Sequence, residues 1–128
     1  MGVELDKATF IVVLGASPKA ERYSNKAVRE LKSQGYAVIP VNPGHSEIEG
    51  LPAVSSLSML EPGSVDSVTM YIGPKHSSAL LEELLRLNPR RVIFNPGSEN
   101  PELAETLSQN GIETIEACTL VMLSLGSF

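Results

Sequence analysis

The chain has 128 residues, of which 42% are hydrophobic and 20% charged, which fits one soluble globular domain with a single core. Its formal charge of −5 excludes duplex DNA or RNA as a partner, because such partners need a basic stripe to neutralise phosphates. No apolar stretch approaches the roughly 20 residues of a membrane span. The acidic start, Met1 to Lys7, lacks the basic-then-apolar layout of a signal peptide, so a cytoplasmic location is expected. The one cysteine, Cys118, cannot form an internal disulfide, and no cysteine–histidine spacing suggests a metal.

Phe10 to Leu14, FIVVL, is an apolar run ending at Gly15, the pattern of a strand buried on both faces. Ser24 to Gln34 follows at helical spacing, with Gly35 at its end, and Tyr36 to Val41 is a second strand. Between Gly44 and Gly63 the pattern weakens, with a short strand or hairpin within Ile48 to Val54 and a helical turn at Leu57 to Leu60. The alternation then resumes with a strand at Ser67 to Ile72, a helix at Lys75 to Leu87 and a strand at Arg91 to Phe94. A helix over Pro101 to Gln109 has Asn100 as its cap and Gly111 beyond its end. Ile112 to Ile115 is the last strand and Thr119 to Leu125 a short final helix. Met59, Met70 and Met122 read as core filler. This order predicts one domain, residues 1–128, with a three-layer α/β/α Rossmann-like fold around a parallel sheet of about five strands.

In such a sheet, ligands bind beyond the carboxyl ends of the strands. Four turns fall there: Gly15-Ala16-Ser17, Asn42-Pro43-Gly44-His45, Gly73-Pro74 and Asn95-Pro96-Gly97. In the first, Gly15 admits a close approach of backbone to ligand. Ser17, Ser24 and the amides opening the helix can donate to phosphate oxygens, beside the cations Lys19 and Arg22. The competing reading makes Ser24 a helix cap and the two cations solvated surface charge. A dinucleotide fingerprint would need glycine at 15, 17 and 20, where the chain has Gly15, Ser17 and Ala20. The second strand ends Val41-Asn42-Pro43, without the carboxylate that holds an NAD ribose. No nucleophile–base pair stands out: Ser17 is not in a Gly-x-Ser-x-Gly elbow, and His45 and His76 read as surface residues.

The stretch Val13-Leu14-Gly15-Ala16-Ser17, then Arg22 and Ser24 in a Glu-Arg-x-Ser setting, then Val38-Ile39-Pro40-Val41-Asn42-Pro43 resembles the small bacterial CoA-binding proteins. Those are similar in turn to the N-terminal domain of the succinyl-CoA synthetase alpha subunit. The resemblance extends through Val65-Asp66 to Gly111-Ile112 and Cys118. It implies non-catalytic binding of coenzyme A or an acyl-CoA. The pyrophosphate would lie on Ser17, Pro18, Lys19 and Ala20 and at the helix start by Ser24. The adenine would lie against Pro43 and Ile72-Gly73-Pro74, with His45 aligned to a cofactor-contacting lysine. Phe94, Asn95, Pro96 and Gly97 would face the pantetheine arm. The alternatives are an NAD(P)-binding protein, a CoA-binding subunit of a split acyl-CoA synthetase, and an interaction protein that dimerises or meets another protein through Leu120 to Leu125. Where the small proteins often carry arginine near the end of the third strand this chain has Ile72. Where they tend to have Asp-Arg-Cys it has Glu116-Ala117-Cys118.

Overall fold

The computed structural model describes residues 9–128. Five strands form one parallel sheet: β1 (Phe10–Leu14), β2 (Ala37–Val41), β5 (Val65–Met70), β6 (Arg91–Phe94) and β7 (Glu113–Glu116). They stand in the order β2-β1-β5-β6-β7. A two-residue pair, β3 (Glu47–Ile48) and β4 (Leu51–Pro52), forms a small antiparallel hairpin beside it. Alternate residues of β1 feed two cores. Ile11 and Val13 pack with Val28 and Leu31 of α1 (Tyr23–Ser33) and Leu123 of α5 (Thr119–Leu125). Val12 and Leu14 pack on the other face, against Leu84 and Leu87 of α3 (Leu81–Leu87) and Leu103 and Leu107 of α4 (Pro101–Gln109). Helices thus cover both faces, the three-layer arrangement that a run like FIVVL requires.

Val54 forms a single parallel bridge with Val41 on the outer side of β2. Val54 N donates to Pro40 O, and Asn42 N donates to Val54 O. Because Pro40 turns its carbonyl outward, its missing N–H also faces outward, and the ladder to β1 loses nothing. Counting this bridge as a reduced third strand gives the dinucleotide-fold order three-two-one-four-five-six, which reverses direction between β1 and β5.

Three expectations change. The helix expected over Lys75 to Leu87 is broken into α2 (Pro74–Ser77), a 3-10 turn (Ser78–Leu80) and α3. The strand expected at Ser67 to Ile72 lies two residues earlier, at Val65–Met70. Met59 is 60% exposed rather than core filler, whereas Met70 is fully buried. α4 has the expected bounds, and the Asn100 side chain caps it by accepting from Leu103 N at 3.2 Å.

Candidate functional site

The carboxyl ends of the sheet strands open on a cleft of about 500 Å³, within the range of small-molecule sites. Loop residues Gly15 and Ser17 form one wall together with Arg22, Tyr23 and Ser24 at the start of α1. Tyr71 after β5, Asn95 and Pro96 after β6, and Cys118 and Leu120 after β7 line the remainder. The cleft therefore crosses the point where strand order reverses.

The loop after β1 is held from several sides. Gly15 N and Ala16 N both donate to Val41 O. Ser17 N donates to the Ser24 hydroxyl at 3.1 Å, and the Ser17 hydroxyl accepts from Lys19 N at 3.1 Å. Asn25, fully buried, donates to Ser17 O at 2.9 Å and to Glu49 Oε2 at 3.0 Å. It also accepts from Arg29, whose other nitrogen donates to Ala20 O at 2.8 Å. Gly15 adopts φ +91°, and a β-carbon there would lie 2.6 Å from Ile72 Cγ2. Its lack of a side chain makes room for the neighbouring loop, not only for a ligand.

The loop residues thus spend most of their backbone groups on one another. Ser24 is the second residue of α1; Arg22 holds the cap position and offers no side-chain cap. The amide of Ser17 is occupied by Ser24. Those of Tyr23, Ser24 and Asn25, at the positive end of α1, have no partner among the described residues. The Arg22 guanidinium, exposed beside them, also makes no hydrogen bond there.

Of the residues singled out in the sequence, Gly15, Ser17, Arg22, Ser24, Asn95 and Pro96 meet in the cleft. Pro18, Lys19 and Ala20 lie exposed on the outside of the same loop. Ala16 and Phe94 are each 1% exposed, and neither lines the cleft. Asn42 is a brace: it donates to Ala16 O at 2.8 Å and accepts from Gly44 N at 2.6 Å. Pro43, His45 and Pro74 are exposed, with Ile72 and Gly73 half-buried, and none of them lines the cleft. Asn95 is also committed internally. It donates to Thr69 Oγ1 at 2.7 Å and Met70 O at 3.0 Å, and it accepts from Thr119 N at 2.8 Å.

Tyr23, Tyr71 and Leu120 were not expected at the site. Two of them carry a signal that sequence reading could have used, since each follows a strand: Tyr71 directly after β5, and Leu120 just beyond β7. The Tyr71 hydroxyl is buried beside the hydroxyls of Thr69 and Thr119. Burial pushes its pKa up to about 12, so the phenol keeps its proton. No group of three His, Cys, Asp or Glu side chains among the described residues could hold a metal ion. No described helix is long and apolar enough to cross a membrane.

Comparison with known proteins bears on this site. Over 107 residues, 84% of this chain and 78% of the relative, the sequence is 30% identical to the uncharacterized protein YneT of Bacillus subtilis (strain 168). A crystal structure of an uncharacterized protein, 45% identical, superposes with a TM-score of 0.87 over 94% of this chain and 98% of its own. A dinucleotide-forming acetyl-coenzyme A synthetase 1 of Ca. Korarchaeum cryptofilum, in complex with phosphate and ADP, shares the fold. Its TM-score is 0.72 at 22% identity, over 88% of this chain and 26% of the synthetase. A family profile described as a CoA binding domain matches residues 9–124, nearly all of the described chain, and the chain belongs to that CoA-binding domain family.

Proposed function

We propose that this protein binds coenzyme A or an acyl-CoA without catalysing a reaction on it, with the pyrophosphate at the loop and helix start after β1. The observation that carries this reading is the set of unpaired amides opening α1, where Tyr23 and Ser24 line the cleft with Arg22 beside them. Backbone donors, a helix dipole and a cation together form an anion cradle. The match of residues 9–124 to a family described as a CoA binding domain supports coenzyme A as the ligand. The cleft lining contains neither histidine nor carboxylate, which favours binding over acid–base chemistry. An NAD ribose would need a carboxylate at the end of β2. The residue there, Asn42, has both ends of its amide engaged with Ala16 and Gly44. We further read the chain as a single cytoplasmic domain whose ligand is a small molecule.

Calorimetric titration with CoA, alongside NAD and ATP, tests this. Selective heat with CoA is expected, and Ser17→Glu should abolish it by setting a carboxylate beside the phosphate cradle. Equal response to all three nucleotides, or undiminished CoA binding by Ser17→Glu, would refute the proposed site.

A further inference from the structure

A cradle for an anion must present donors and keep acceptors away, because a carbonyl oxygen aimed at a phosphate repels it. In the loop after β1, three carbonyls are taken by side-chain donors from elsewhere in the chain. Asn42 donates to Ala16 O at 2.8 Å, Asn25 to Ser17 O at 2.9 Å, and Arg29 Nη2 to Ala20 O at 2.8 Å. None of these donors lines the cleft, so each carbonyl is engaged outside it.

Arg29 differs from the other two in holding the loop twice. While Nη2 reaches Ala20 O, its Nε donates to Asn25 Oδ1 at 2.8 Å. The fully buried Asn25 amide has two acceptors at its nitrogen, Ser17 O and Glu49 Oε2, the latter at 3.0 Å. An amide carries its donors at one end and its acceptor at the other. Two acceptors on one side and a guanidinium on the other therefore admit a single orientation. Glu49 comes to this place at the tip of the β3–β4 hairpin with φ +53°, and Lys32 Nζ donates to its carbonyl at 2.8 Å. Left-handed backbone at a residue other than glycine persists where surrounding contacts enforce it.

We propose that Arg29 is a positioning residue of the anion-binding loop, its planar fork fixing Ala20 directly and Ser17 through Asn25 so that their carbonyls stay out of the cleft. This rests on the pyrophosphate reading above and adds to it a residue that touches no ligand. Lysine carries the same charge as a compact ammonium without a fork, so charge and geometry are separable at this position.

The test titrates wild type, Arg29→Lys and Arg29→Met calorimetrically with CoA and with inorganic pyrophosphate, at low and at high salt. A loop released from the fork is competent for only part of the time, and apparent affinity falls by that fraction. Both variants should lose about fivefold for each ligand, the worth of one hydrogen bond. Arg29→Lys should keep the salt dependence of wild type, since its charge is unchanged. In the free proteins, amide hydrogen exchange at Ser17 and Lys19, whose N–H groups donate within the loop, should quicken in both variants. Wild-type affinity in Arg29→Lys beside weakened Arg29→Met would make Arg29 a distant charge and overturn the proposal. Lowered thermal midpoints with undiminished affinity in both variants would overturn it too, as the mark of a structural role alone. Both results leave the ligand reading standing. If wild type binds neither ligand, that reading falls and takes this one with it.

Discussion

Replacing Gly15 with alanine should destabilise the protein by about 3 kcal/mol, and the reasons can be separated. A non-glycine residue in left-handed backbone costs about 1–2 kcal/mol, and Gly15 sits at φ +91°. The new methyl would lie 2.6 Å from Ile72 Cγ2, about 1 Å inside the optimal carbon–carbon separation. Overpacking of this kind costs about 1–3 kcal/mol. The lower end applies because Ile72 is half-buried and its side chain can give way. Urea unfolding followed by circular dichroism suits a chain without tryptophan and would report the change directly. Ile72→Ala removes the clashing atom. The double variant should therefore be more stable than the sum of the single effects by about 1 kcal/mol, a coupling resolvable in a double-mutant cycle. Gly15→Ala within about 0.5 kcal/mol of wild type, or strict additivity with Ile72→Ala, would refute this account of the loop packing.

Arg22→Ala should weaken CoA binding by about tenfold to a hundredfold, the loss of a charge-assisted contact, and reduce its salt dependence. The melting temperature should not change, because the guanidinium makes no hydrogen bond among the described residues; unchanged affinity in calorimetry would exclude it from the cradle. Tyr71 should confer an alkaline sensitivity. Its folded pKa of about 12 lies above the unfolded value near 10, so the folded state holds the proton more tightly. The stabilisation is complete below pH 10 and is lost as pH rises through 12, by up to about 2 kcal/mol after allowing for partial exposure. Wild type should lose more stability than Tyr71→Phe over that interval in urea titrations, and identical pH profiles would show that the phenol is not buried.

The sheet was legible because its signal is local. FIVVL can be buried on both faces only as a central strand, and β1 has the bounds that run predicts. α4 was legible to the residue because Asn100, Pro101 and Gly111 mark its ends with stop and start chemistry. The break between α2 and α3 was not, because its contacts come from far along the chain: Asn100 Nδ2 donates to the hydroxyls of both Ser77 and Ser78. The same distance in sequence hid the site's inner logic. Asn42 and Asn95 look like ligand-facing turn residues, yet tertiary partners at Ala16, Thr69 and Thr119 claim their amides. Asn25 looks like a solvated helix position, and its role as the anchor between the first loop and Glu49 depends on a hairpin that the sequence only faintly suggests. The cleft was underestimated where strand ends were counted too few: the turn after β7 was left out of the rim, and β5 was read two residues too late.

The bridge at Val54 has a consequence for how copies of this protein behave when concentrated. On the β2 margin, Pro40 faces outward with no N–H to offer, and Val54 already occupies the carbonyl beside it. On the opposite margin, β7 is four residues long and carries exposed glutamates at both ends, Glu113 and Glu116. Neither margin presents the bare, uncharged row of backbone groups that templates fibril growth. Crowded molecules should repel or slide past one another at their sheet edges, so any lasting self-association would have to form through the helical layers, where Val121 and Leu125 stand exposed.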